Sequence, residues 1–154
     1  MKARKAVLTL AVCLFAVGIC FAANPYMGTW KLNEAKSKLV AGMTKNNTVM
    51  YEAAGDSVKV TVDGVDGSGK PAHNEWTGKF DGKDYPVTGD PSYDTRSYKK
   101  VNGNTMDLTI KKGGKVVGSG RIVVSADGKS RTVTLNTMDA MGMSVKSVAV
   151  YDKQ

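Results

Sequence analysis

Few side chains in this sequence have the type and spacing that catalysis requires. His73 is the only histidine, so neither a two-histidine metal site nor a histidine pair for proton transfer can form. Four aspartates in or near predicted turns could bring two carboxylates together for general acid–base chemistry: Asp81, Asp84, Asp90 and Asp94. Because turn aspartates usually cap backbone amides, we predict no catalytic residues and a protein that is not an enzyme.

One glycine-rich segment and the aspartates beside it come close to two known binding loops. Residues 64–70 match most of a phosphate-binding loop, but Pro71 stands where that loop needs serine or threonine. Asp63 and Asp66 fail the calcium-loop pattern, because Asn74 occupies the twelfth position in place of glutamate. We therefore predict a hairpin turn here, with no metal and no cofactor.

Apolar and polar residues alternate over several short runs, which indicates antiparallel strands with one solvated face. The alternation is clear over residues 58–63 and 106–111. Glycine turns such as Asp127-Gly128 separate the runs and supply the positive φ angles of tight hairpins. Eight such turns join nine strands, and residues 27–32 make a tenth.

Many strands in sequence order are accommodated most simply by closure. We predict an all-β, antiparallel up-and-down barrel of about 8–10 strands, with a two-sheet sandwich as the alternative. Asn33 and the helix formers after it predict one short helix or 3₁₀ turn behind the first strand, ending near Gly42. Pro86 removes a ladder donor from the fifth strand, which predicts a position at an edge or beside a gap.

The first 22 residues have the features of a secretory signal peptide. Basic residues precede an apolar run, and Cys20 and Ala22 place small residues at positions −3 and −1 of a cleavage site. We predict cleavage after residue 22, a single domain over residues 23–154, and a secreted or periplasmic location. A retained membrane anchor and lipidation at Cys20 are the alternatives.

The chain after residue 22 has no cysteine and only a mild positive charge. Cys13 and Cys20 both lie in the leader, so the domain is predicted to be stabilised without disulfides. The leader also holds three basic residues and no acid, which lowers the formal net charge from +8 to +5. Lysines alternate with aspartates along the strands, so we predict a solvated surface, no nucleic-acid partner and no membrane span after cleavage. The oligomeric state stays open.

Three segments resemble known proteins. Gly28-Thr29-Trp30 resembles the Gly-x-Trp opening of the calycins, which include the lipocalins and the fatty-acid-binding proteins. Residues 148–153 resemble the last strand of the fatty-acid-binding branch. Residues 28–38 and 80–91 are similar to a group of small secreted bacterial proteins of lipocalin-like type, and this resemblance extends over essentially the whole domain.

The resemblance implies a barrel closed at one end by Gly28 and Trp30, with a ligand cavity that opens at the other. Ala149 stands where fatty-acid-binding proteins hold the ligand carboxylate with an arginine, so that clamp is not implied here. In lipocalins an arginine of the last barrel strand packs over the tryptophan. Arg121 and Arg131 are both candidates for that role.

Two residues are candidates for contact with a ligand. Tyr151 matches the inward-facing tyrosine of the family, and Arg121 has small neighbours that would let it reach an anionic group. Wall packing for the tyrosine and a surface position for the arginine are the alternatives.

The predicted interior is mostly valine, with methionine and leucine, and such side chains fill a wide barrel poorly. We therefore predict a protein that binds or carries a small hydrophobic molecule in the barrel cavity. The alternative is a non-enzymatic envelope or secreted protein whose barrel surface binds a protein partner.

Overall fold

Ten antiparallel strands form one closed barrel in the computed structural model, which describes residues 24–139 and 141–154. The strands are β1 (Gly28–Leu32), β2 (Lys45–Ala54), β3 (Ser57–Val65), β4 (Pro71–Gly78), β5 (Tyr85–Thr88), β6 (Thr95–Lys100), β7 (Thr105–Lys112), β8 (Lys115–Val124), β9 (Ser130–Met138) and β10 (Ser144–Lys153). Each strand pairs with its neighbours in the chain, and β1 also pairs with β10. The predicted all-β up-and-down barrel is confirmed. The predicted signal peptide lies outside the described residues.

Closure depends on β1, which pairs on both of its sides. Trp30 lies opposite Val49 of β2 and opposite Lys153 of β10. The described part of the sheet therefore has no free edge strand to protect, because its first and last strands complete each other's hydrogen-bond ladders. This pairing excludes the two-sheet alternative.

A 3₁₀ turn follows β1 as predicted, but it covers only Glu34–Lys36 and ends well before Gly42. The side-chain oxygen of Asn33 accepts a hydrogen bond from the backbone N–H of Lys36 at 3.2 Å and so caps the turn. Lys38 then forms an antiparallel bridge to Val148, which continues the pairing along β10 beyond the end of β1. No helix among the described residues has the length and apolar character needed to cross a membrane.

Pro86 lies on β5, the shortest strand. Closure of the barrel rules out an edge position for this strand. Its ladder is nevertheless thin, because only two residue pairs join β5 to β4 and two join it to β6. The proline, which has no N–H to donate, thus occupies the least paired part of the sheet.

Aromatic side chains fill the end of the barrel nearest the start of β1. The residues concerned are Tyr26, Trp30, Tyr51, Trp76, Phe80 and Tyr98. The rings of Trp76 and Tyr98 meet edge to face with centroids 4.8 Å apart, and Trp76 stacks on Phe80 at 6.3 Å. The indole N–H of Trp30 donates to the backbone carbonyl oxygen of Tyr26 at 2.8 Å. This end of the barrel is therefore solid.

Candidate functional site

The barrel encloses a cavity of about 430 Å³ beyond the aromatic end. That volume falls within the range of about 300–1,000 Å³ that is typical of small-molecule sites. Inward positions of several strands supply an apolar wall, which includes Val49, Val62, Leu108, Ile110, Val117, Ile122, Val133 and Leu135. Because successive strand residues face opposite sides, most of these apolar groups come from alternate positions of their strands. Val117 is the exception, because it is the extra residue of a β-bulge in β8.

The cavity extends to the end of the barrel opposite Trp30. Loop residues and strand ends form this mouth: Met43 and Thr44 before β2, Ser92 and Tyr93 before β6, and Thr137 and Met138 at the end of β9. The side chain of Met138 is well exposed, so it both lines the cavity and meets solvent. A flexible thioether side chain at such a place can adapt to ligands of different shape.

Arg131 is buried inside the barrel although it is charged, with 2% of its surface exposed. Its guanidinium lies over three aromatic rings, 4.8 Å from the centroid of Tyr151 and 5.0 Å from those of Trp30 and Tyr51. These distances permit cation–π attraction. Nε and Nη1 have no hydrogen-bond acceptor among the described residues. Arg131 also lines the cavity, so a molecule inside can contact its side chain, although Nε and Nη1 themselves are buried.

A second buried arginine, Arg96 of β6, also lines the cavity. In contrast to Arg131, it has partners for its guanidinium. It donates to the side-chain oxygen of Asn74 at 2.9 Å and to the hydroxyl of Tyr93 at 2.6 Å. A third, longer hydrogen bond of 3.3 Å goes to the hydroxyl of Tyr98. These three acceptors satisfy N–H groups of the guanidinium, but an amide and two phenols carry no negative charge.

No carboxylate among the described residues forms an ion pair with either buried arginine. Burial raises the pKa of Tyr151 to about 12, and burial likewise raises the pKa of Tyr93 and of Tyr98. These phenols therefore stay neutral at ordinary pH. The ion pairs that the described residues form all involve other, more exposed groups. Asp90 is the one acid among the described lining residues, and its carboxylate accepts from the backbone N–H of Ser92 at 2.8 Å.

The two predicted ligand-contact residues lie in different places. Tyr151 is in the cavity wall, where its hydroxyl donates to the backbone carbonyl oxygen of Asn46 at 3.1 Å. Arg121 lies on the outer face of β8, where its Nε donates to Asp107 at 2.8 Å and its side chain is 55% exposed. The structure therefore does not bring Arg121 to the cavity. The reason is strand alternation, because the buried neighbour Ile122 takes the inward position.

The two residues that were predicted to close the barrel lie at its solid end. Trp30 is fully buried there and does not line the cavity. Gly28 has a φ of 98°, a conformation that residues with a side chain rarely adopt. It lies opposite Tyr51 of β2, one of the aromatic residues at the solid end. Of the two arginines proposed to pack over the tryptophan ring, Arg131 does so and Arg121 does not.

The turn aspartates bind their own loops or neighbouring strands. Asp81 accepts from the backbone N–H of Lys83 at 3.0 Å, and Asp94 accepts from that of Gly113 at 2.8 Å. Asp84 pairs with the ammonium of Lys111 at 2.6 Å. Asp81 and Asp94 therefore cap backbone amides as predicted, whereas Asp84 forms an ion pair.

The glycine-rich segment before His73 forms the predicted hairpin turn, and His73 itself lies on β4. Asp66 accepts from the backbone N–H groups of Ser68 and Lys70 and so closes the turn between β3 and β4. Nδ1 of the exposed His73 lies 2.6 Å from a carboxylate oxygen of Asp63. That hydrogen bond raises the pKa of His73 above its usual value. The described residues contain no group of three or more histidine, cysteine or acidic side chains suited to a metal ion.

A ligand-site role for the two buried arginines was not predicted from the sequence. A signal for Arg131 was present, because it shares strand parity with Val133 and Leu135, which makes it an inward residue of β9. No comparable pattern singles out Arg96, which lies on a polar strand. Its burial depends on Asn74 and Tyr93, which other parts of the chain contribute.

Fold and site together define a closed ten-strand β-barrel with an apolar internal cavity that contains two arginines. No protein-family model and no curated protein matches the chain. Among solved structures, EF1p2_mFAP2b bound to DFHBI aligns at 12% identity and a TM-score of 0.49, over 86% of this chain and 97% of that one. The redesigned β-barrel mFAP1 bound to DFHBI aligns at 14% identity and a TM-score of 0.44, over 86% and 98%.

A natural protein, lobster apocrustacyanin A1, aligns at 13% identity and a TM-score of 0.38, over 86% of this chain and 62% of that one. At such low identities and TM-scores, these likenesses carry no argument about function. The function has to be inferred from the geometry and charge of the cavity itself.

Proposed function

We propose that this protein binds a small, largely apolar molecule inside the barrel and acts as its carrier or store. The observation that supports this most strongly is the cavity, which combines a solid aromatic end, an apolar wall and an open mouth. Transfer of apolar surface from water to such a wall is favourable by about 25 cal/mol per Å². A ligand that covers the wall therefore gains binding energy without a metal or a covalent bond.

The proposed carrier is exported from the cytoplasm and is not an enzyme. A basic segment and an apolar leader at the start of the chain support export, so the carrier would act outside the cytoplasm. The engaged turn aspartates and the exposed position of His73 support a role without catalysis. A non-catalytic carrier needs only a cavity and a way in, which the mouth beside Tyr93 and Met138 offers.

Two neighbouring valines of β8 provide a matched test. Val117 lines the cavity, whereas Val116 is 60% exposed on the outer face. The neutral probe N-phenylnaphthylamine should bind the wild type with one molecule per chain, and decanol should displace it. Val117→Trp should lower probe affinity by about tenfold or more, because the indole occupies the cavity, and Val116→Trp should leave it unchanged.

Absence of saturable binding to the wild type would refute the proposal. Equal effects of the two tryptophans would also refute it, because binding would then not be inside the barrel. Either outcome would favour the barrel surface as the functional part of the molecule. Circular dichroism and a thermal melt of both variants establish that each is folded before binding is compared.

A further inference from the structure

We infer that the molecule held in the cavity carries an acidic group, and that this group binds the guanidinium of Arg131. This inference rests on the proposed function and specifies the chemical class of its ligand as an apolar acid, with the acid in the deep part of the cavity. Three observations lead to it: the burial of Arg131, its lack of a carboxylate partner, and its position along β9.

A buried guanidinium needs hydrogen-bond acceptors and a negative charge to offset the free-energy cost of its removal from water. Arginine stays protonated throughout the pH range of proteins, so it cannot escape burial by losing its proton as lysine can. Removing an unpaired charge from water is strongly unfavourable. Nε and Nη1 of Arg131 nevertheless lack acceptors among the described residues. The ligand-free barrel thus leaves a positive group in place whose hydrogen-bonding capacity is unused.

The aromatic rings around Arg131 do not replace an anion. Trp30, Tyr51 and Tyr151 present π faces to the cation, and their attraction offsets part of the desolvation. They accept no hydrogen bond from the N–H groups in the guanidinium plane. A carboxylate in the cavity supplies both missing elements once the guanidinium turns to expose these nitrogens, because its two oxygens accept charge-assisted hydrogen bonds and its charge neutralises the arginine.

Arg96 is the less suitable anchor of the two. Its guanidinium already donates to Asn74, Tyr93 and Tyr98. Its contact Tyr93 also lies at the mouth, close to the carboxylate of Asp90. An anion there would face a like charge, whereas no acid is among the described contacts of Arg131.

The order of residues along β9 sets the orientation of the ligand. Arg131, Val133, Leu135 and Thr137 are successive positions of one parity, and all four line the cavity from the aromatic end to the mouth. A molecule that lies along this strand places its acid at Arg131 and its apolar part against Val133 and Leu135. The site therefore fits an amphiphile with one acidic end.

The first test compares three ligands that share one alkyl chain: decanoate, decanol and decylamine. Isothermal titration of the full-length domain at neutral pH should give the order decanoate, then decanol, then decylamine. We expect decanoate to bind about ten- to one-hundred-fold more tightly than decanol, which is the range for hydrogen bonds to a charged partner. Equal binding of decanoate and decanol would overturn the acid inference but leave the proposed function standing. Absence of binding by all three would remove both.

The second test removes the positive charge of Arg131. Arg131→Met should abolish the preference for decanoate over decanol while decanol affinity changes by less than about threefold. The matched control is Arg121→Met, which removes an arginine from the outer face and should preserve the preference. If the preference survives in Arg131→Met, the acid lies elsewhere and the assignment to Arg131 is wrong.

A spectroscopic measurement on the wild type keeps the inference testable if Arg131→Met does not fold. The side-chain N–H resonances of Arg131 should shift downfield when decanoate is added, because these groups gain a charged acceptor, and should move little with decanol. The corresponding resonances of Arg121 should not move with either ligand. Identical responses of Arg131 to decanoate and decanol would overturn the inference.

Discussion

Arg131 and Arg96 place two positive charges inside one small barrel, and no described carboxylate forms an ion pair with either. Buried charges without partners weaken a fold, and natural proteins retain such features mainly where function requires them. For Arg96, hydrogen bonds to neutral groups offset part of the free-energy cost of burying the charge. For Arg131, only cation–π contacts with aromatic rings offset that cost among the described residues.

The stability of ligand-free protein should depend little on Arg131. Replacement by methionine removes the desolvation penalty of the guanidinium together with its cation–π attraction, and these two effects oppose each other. We expect Arg131→Met to change the free energy of unfolding by less than about 2 kcal/mol in urea titrations of the ligand-free domain. A loss of about 3–5 kcal/mol, as for a broken buried ion pair, would contradict this account of Arg131.

His73 should titrate above its ordinary pKa of 6.5, because the carboxylate of Asp63 holds its protonated form. A raised pKa in the folded state stabilises the fold below the ordinary pKa, and the effect disappears as pH rises through the raised value. The exposed position of the ring makes this contribution to stability small. In NMR titrations, Asp63→Asn should lower the pKa of His73, whereas Asp107→Asn should not. An unchanged pKa in Asp63→Asn would be inconsistent with the hydrogen bond.

At the scale of elements, alternation along the strands decides which side chains reach the cavity. It assigns Arg131 to the inside of β9 and Arg121 to the outside of β8, although both are arginines in strands with small or polar neighbours. In β8, Gly118 and Gly120 occupy inward positions and carry no side chain, opposite Ile110 and Leu108 of β7. The side chain of Ile110 occupies the space beside Gly118, and Gly120 allows the backbone of β9 to approach β8 closely at Thr134.

Close approach of β8 and β9 makes Gly120 sensitive to substitution. A Cβ atom there would lie 2.1 Å from the backbone carbonyl oxygen of Thr134, which cannot move without disturbing β9. Gly120→Ala should therefore lower the free energy of unfolding by about 2 kcal/mol or more. The control is Gly103→Ala in the β6–β7 turn, where a Cβ meets nothing within 4 Å. Equal, small effects in urea titrations would mean that the strands are less close than described.

At the scale of the whole molecule, local sequence patterns predict the barrel better than they predict which side chains meet in its interior. The alternation and turn signals are local, so they predict the ten strands, the 3₁₀ turn and closure. The solid aromatic end is not local, because it joins residues as distant in the chain as Tyr26 and Tyr98. One partner of Arg96, Asn74, is also distant in the chain and comes from β4. Which inward residues meet one another depends on register and strand tilt, which periodicity does not specify.

The central claim is that an apolar molecule occupies the interior of the barrel, and methyl NMR during a decanol titration tests it most directly. Leu108, Ile110 and Ile122 line the cavity, whereas Val116 and Val123 are exposed on the outer face. We expect the methyl signals of the three inner residues to shift and saturate at one decanol per chain, while those of the two outer valines stay in place. Shifts confined to the outer valines, or no saturable shift of the inner methyls, would contradict the claim.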